Sequence, residues 1–156
     1  MYLINGTVHT MAGPVWNPGF VAFEGGKITG AGAMEALSLP AGAEVLDLTG
    51  CHIYPGLVDA HSHLGMFGDS LGFEGEDGNE ITDPVTPQLR AIDAINPFDL
   101  AVKTAVSYGV TGACVCPGSD SVVGGICSVV ELKGKVADEM TIVRKAAVKC
   151  SFGENP

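Results

Sequence analysis

Over the first 56 residues, apolar and polar positions fall into short runs cut by Gly and Pro, which is the pattern of strands. Residues 2–4 and 7–10 read as strands on either side of Asn5-Gly6, and residues 45–48 and 52–54 as two more around Thr49-Gly50. Residues 20–24 and 27–30 flank Gly25-Gly26, a pair that supplies the positive φ angles of a tight hairpin turn. These strands predict a small β-sheet domain over residues 1–56.

The pattern changes at Pro55-Gly56. Leu57-Val58-Asp59-Ala60 is a brief, largely apolar strand that runs into His61-Ser62-His63. Residues 64–96 follow, rich in Gly, Asp, Glu and Pro and without periodicity, far longer than an ordinary connection of about 4–6 residues. A helix is predicted over residues 97–108, with Asn96 as N-cap, Pro97 at the first helical position and Gly109 as the stop. Its apolar face is Phe98, Ala101, Val102 and Ala105. Residues 110–116 read as a second buried strand and a third lies within residues 146–152. Strand, excursion, helix and strand in that order are the signature of a parallel sheet in an α/β fold, so residues 57–156 form a second domain.

Composition narrows the function. The chain of 156 residues is 46% hydrophobic and 17% charged, a balance that buries a core and excludes intrinsic disorder. Its net charge of −10 repels phosphate backbones and anionic membranes, so no nucleic acid and no membrane is expected as a partner. The five cysteines are odd in number and lack C-x-x-C spacing, which predicts reduced thiols. No signal-peptide pattern or membrane-length apolar run occurs, and a cytoplasmic location is the expectation.

Candidate chemistry centres on the strand that ends at residue 63. Side chains alternate along a strand, so Asp59, His61 and His63 are expected on one face, with the imidazoles at its carboxyl end, where parallel sheets gather functional groups. Two neutral imidazoles facing one point chelate a divalent cation. Asp59 is a candidate to orient a ligating ring from behind, or to stabilise the strand.

The run Pro55-Gly56-Leu57-Val58-Asp59-Ala60-His61-Ser62-His63 resembles the first barrel strand of the amidohydrolase superfamily of metal-dependent hydrolases, and residues 5–54 resemble the small sheet domain that precedes it. The resemblance implies a small β-sandwich-type domain followed by the first strands of an incomplete (β/α)8 TIM barrel. It also implies one or two divalent cations, usually zinc, that activate water to hydrolyse a C–N bond. The layout and the run from His61 to Gly65 look nearest to imidazolonepropionase-like amidohydrolases, hence a small cyclic-amide substrate. Superfamily members are commonly well over twice as long. The resemblance therefore implies that further ligands lie beyond Pro156, that the chain is inactive alone, and that it forms a homo-oligomer or meets a complementary chain.

Other residues carry two readings. Glu154 is either a third metal ligand, as in some deacetylases of the superfamily, or a solvated turn residue. Eight acids between residues 69 and 99 face Arg90 alone, and form either a solvated lid or an attractant for a cationic substrate. Cys114 and Cys116 share a strand face, where buried thiols are usually core and less often ligands. His9 and His52 are expected on small-domain strands, and Gly118-Ser119-Asp120 and Gly124-Gly125 in turns. The alternatives to an enzyme are a non-catalytic binding or assembly module, one half of a split enzyme, and a gene fragment without function.

Overall fold

A computed structural model describes residues 1–69 and 71–156 and divides the chain into two compact units, Met1–Pro55 and Gly56–Pro156. The first unit is a single five-stranded sheet where a sandwich-type domain is expected from the sequence. Its strands are β1 (Tyr2–His9), β2 (Val15–Glu24), β3 (Lys27–Ala33), β4 (Val45–Asp47) and β5 (His52–Ile53). The order is β3-β2-β1-β4, with β5 also on β1; β2 runs antiparallel to β1 and β3, while β4 and β5 lie parallel to β1. Gly25 and Gly26 turn the hairpin at φ 57° and 75°. Asn5-Gly6 does not break β1. Asn5 takes φ 63° and the register slips between Leu3 and Gly6, a bulge that leaves one continuous strand. A Cβ at Gly6 would lie 2.8 Å from Ile53 Cδ1 and would have to displace that methyl. Val8, Val21 and Ala22 are the buried hydrophobic residues of this sheet, beside the buried glycines Gly6, Gly19 and Gly32.

The second unit holds a four-stranded sheet of order β6-β7-β8-β9, made of β6 (Leu57–Ser62), β7 (Val110–Val115), β8 (Val123–Glu131) and β9 (Thr141–Cys150). Helices α1 (Leu100–Ser107) and α2 (Ala137–Met140) precede β7 and β9. The β6–α1–β7 crossover is parallel, as the sequence predicts. The rest departs from an all-parallel barrel start, because β8 runs antiparallel to both β7 and β9. Strand β8 went unpredicted because Gly124-Gly125 reads as a turn. Gly125 instead sits inside the strand at φ 118°, where a Cβ would lie 2.6 Å from Leu89 O, so the glycine marks the close approach of another backbone. The third strand expected over residues 146–152 is the end of the longer β9.

Helix α1 starts later than predicted. Asp99, not Asn96, is its N-cap, with Oδ1 accepting from Ala101 N at 2.9 Å, while Asn96 Oδ1 accepts from Phe98 N at 3.0 Å in a turn outside the helix. Phe98 consequently lies exposed, and Val102 alone of the expected face is fully buried. Gly109 closes the helix at φ 88°.

Residues 64–96 contain no strand or α-helix among the described residues, only 3-10 turns at Phe73–Gly75 and Ala91–Asp93. The excursion is nonetheless anchored. Met66, Ala91 and Ile95 join Val102, Val115 and Val130 in the core, and bridges tie Val85 to Val123 and Arg90 to Ile126. No helix among the described residues is long and apolar enough to cross a membrane.

Candidate metal centre

Strand β6 is irregular where its chemistry lies. Asp59 pairs with Ala113 and Ser62 with Val115, so three steps along β6 match two along β7. The extra residue makes a bulge, and strict alternation does not carry through it. Asp59 fills the bend: its Oδ1 accepts the backbone N–H of His61 at 3.1 Å. Its carboxylate therefore holds the backbone that presents His61 rather than a ring nitrogen.

The bulge brings the two imidazoles together. Their ring centroids are 5.3 Å apart and their planes meet at 75°. His63 is half-buried, and Phe67 meets it edge-on at 5.8 Å. His63 Nδ1 lies 2.7 Å from Cys116 O, one residue past the end of β7. A carbonyl only accepts, so Nδ1 carries the proton and the lone pair of the neutral ring is on Nε2. His61 reaches the same tautomer by a different contact. Its Nε2 is 3.3 Å from Lys149 Nζ, and an ammonium only donates, so Nε2 accepts.

Both lone pairs therefore sit on Nε2, and one Nδ1–H is fixed by a backbone carbonyl, the arrangement that orients ligating histidines. The spacing also fits. Two imidazoles bound through nitrogen to one tetrahedral cation at about 2.0–2.1 Å hold their centroids about 5 Å apart, close to the 5.3 Å observed. The set supplies two donors. Among the described residues no group of three His, Cys, Asp or Glu side chains is gathered to hold a metal ion. Glu154 is exposed in the bend after β9, and His9 and His52 pair with each other in the first unit, Nε2 to Nδ1 at 2.8 Å.

Lys149 is the residue beside the histidines that sequence reasoning missed. It lies in β9, 88 residues from His61, and bonds Ser119 Oγ at 3.1 Å as well as the imidazole. Its stem packs over Gly124, where a Cβ would lie in ordinary contact at 3.6 Å from Lys149 Cγ. Of the chain's eight basic residues, it is the one not exposed. The signal in the sequence was a lysine following the apolar run Ala146-Ala147-Val148 near the end of a strand.

Cys114 and Cys116 also approach the site, with sulfurs 3.9 Å apart. Burial pushes the Cys116 thiol up to about 12, and Cys127 beside it adds to the rise; burial likewise raises Cys114 and Cys127. Protonated thiols of this kind behave as core. All five cysteines are free. A cavity of about 630 Å³ opens beside His63 and is lined by Asp59, Asp69, Glu76 and Asp99, so part of the acidic excursion faces the site. Asp99 is committed to capping α1 and to accepting Asp69 N at 3.2 Å.

No family model matches the chain. It is 37% identical over 115 residues to an amidohydrolase, tasK, of Hapsidospora irregularis, covering 72% of this chain and 12% of that protein. It is 36% identical over 63 residues to a 5-methylthioadenosine/S-adenosylhomocysteine deaminase of Halobacterium salinarum, covering 38% of this chain and 15% of that one. The crystal structure of an amidohydrolase from Thermotoga maritima superposes with a TM-score of 0.90 at 39% identity, over 99% of this chain and 39% of the other. The chain thus spans a small part of the relatives' lengths and about two fifths of the solved structure.

Proposed function

We propose, from the premise that this chain belongs to the amidohydrolase superfamily and matches the amino-terminal portion of its members, that His61 and His63 are two ligands of a catalytic divalent cation. The hydrolase acts on a C–N bond, with cyclic amides as the substrate class. The observation that carries the reading is the histidine pair: both rings carry their lone pair on Nε2, and their centroids lie 5.3 Å apart, a separation compatible with one tetrahedral cation. Imidazole donors suit zinc, and the remaining donors come from residues other than these two. The chemistry a bound zinc supplies is Lewis acidity, which activates water near neutral pH and polarises a scissile carbonyl.

The chain's own residues prepare that chemistry. Cys116 O fixes the His63 ring, and Asp59 fixes the His61 backbone. The acidic cavity lies against His63 and is lined by neither His61 nor Lys149. Names among the relatives support a C–N bond as the target, because amidohydrolases and deaminases both cleave one.

Titration with Co(II) tests the metal reading without requiring turnover. One equivalent is expected to bind with visible d–d bands, and His61→Ala or His63→Ala to weaken binding about 10–100-fold. Binding that is unchanged in both variants would overturn it. Cation-dependent hydrolysis of dihydrouracil by this chain joined to the remaining barrel strands, lost in His63→Ala, supports the substrate class.

A further inference from the structure

We propose that Lys149, with the hydroxyls of Ser119 and Ser151, is a receptor for a carboxylate carried by the substrate close to its scissile bond. The proposal rests on the hydrolase reading above and adds the substrate's charge to it.

Three observations converge. First, Lys149 has no carboxylate partner among the described residues; its ammonium meets only the neutral His61 Nε2 and Ser119 Oγ. In a chain of 18 acids and 8 bases, a half-buried ammonium that has avoided every acid is a positive charge left for an anion from outside.

Second, Ser151 Oγ is buried and has no hydrogen-bond partner among the described residues. A hydroxyl so placed calls for a ligand or an ordered water. Ser151 N donates to Val122 O at 3.1 Å, so the chain just past the end of β9, two residues from Lys149, stays paired with the segment that carries Ser119. The segment between β7 and β8 supplies both Ser119 and Val122, and thus gathers the three groups at one end of β9.

Third, position matters. Lys149 Nζ lies 3.3 Å from the nitrogen proposed as a metal ligand, so an ammonium and a divalent cation would sit side by side. An anion shared between them removes that repulsion, and a carboxylate has two oxygens to divide between the positive centres. A carboxylate held here lies next to the bond to be cleaved, which makes Lys149 a specificity-determining residue.

The test uses the intact chain without added cation and follows amide NMR shifts during titration with succinate, and with succinamide as the uncharged counterpart of the same length. Succinate should give saturable shifts at residues 119, 149 and 151, and succinamide none. Lys149→Met should weaken succinate binding at least tenfold, while Lys149→Arg keeps the charge and should remain within about threefold of the parent. Should Lys149→Met fail to fold, Ser119→Ala and Lys149→Arg still decide the point through the succinate and succinamide comparison. Equal responses to the two probes, or succinate binding indifferent to Lys149→Met, would overturn the proposal. Because no cation is present, failure here leaves the Co(II) result standing, and failure of Co(II) binding leaves this one standing.

Discussion

Replacing Gly125 by Ala probes the joint on which Lys149 depends, since Gly125 is its partner across β8 and β9. The new Cβ would lie 2.6 Å from Leu89 O and 3.0 Å from Leu89 C. Leu89 O has no room to retreat, because it accepts the N–H of Ile126 at 2.8 Å. An alanine at φ 118° costs about 1–2 kcal/mol for a backbone region closed to L residues. Overpacking against fixed backbone adds about 1–3 kcal/mol, giving about 2–5 kcal/mol together. Gly109→Ala is the control, being a positive-φ glycine at 88° with open space around it, and should cost about 1 kcal/mol. Urea unfolding by far-ultraviolet circular dichroism measures both, with amide exchange at Ile126 assigning the loss to the second unit and Trp16 in β2 reporting on the first. If Gly125→Ala costs no more than Gly109→Ala, the close approach of the excursion to β8 is not a structural constraint, and the reasoning fails.

Two further predictions address the cap and the thiols. Asp99→Ala removes the acceptor for both Ala101 N and Asp69 N, and should destabilise the second unit by about 1–2 kcal/mol in urea, with faster amide exchange at Asp69 and Ala101; unchanged exchange at both sites refutes the cap. Exposed Cys51 and Cys150 should react with a chromogenic disulfide at once, Cys114 more slowly, and Cys116 and Cys127 only on unfolding. The Cys116 thiol is raised from 9.0 to about 12, so the folded state holds its proton where the unfolded state has lost it; stability present below pH 9 therefore falls between pH 9 and 12, and Cys116→Ala should flatten that loss in alkaline urea titrations.

Local signals were legible in the sequence and distant ones were not. The Gly25-Gly26 hairpin, the parallel β6–α1–β7 crossover and the histidine pair each depend on residues close together in the chain. Misreadings arose where one residue type serves two backbone tasks. Asn5-Gly6 and Gly124-Gly125 look like turns, yet both sit inside strands where a bulge or another backbone needs the space. Asn96 and Asp99 both suit an N-cap, and the choice went to the residue whose carboxylate also accepts from Asp69 N, a contact spanning 30 residues. The role of Asp59 turned on a bulge that no alternation count reveals.

Lys149 shows why the rest of the site had to await the fold. It meets His61 only after β7 and β8 have been laid between β6 and β9, since a flat sheet of four strands spaces its outer members by roughly 14 Å. The pairing of an imidazole with an ammonium is also electrostatically poised. Lys149 occupies the lone pair that a cation needs on His61, so the cation and this contact compete directly. A carboxylate relieves the competition by giving the displaced ammonium a partner. Cation and carboxylate should therefore bind with positive coupling: succinate tightens Co(II) binding in the parent, and the same coupling disappears in Lys149→Met. If succinate weakens Co(II) binding in the parent, anion and cation are rivals, and the site does not assemble around a charged substrate.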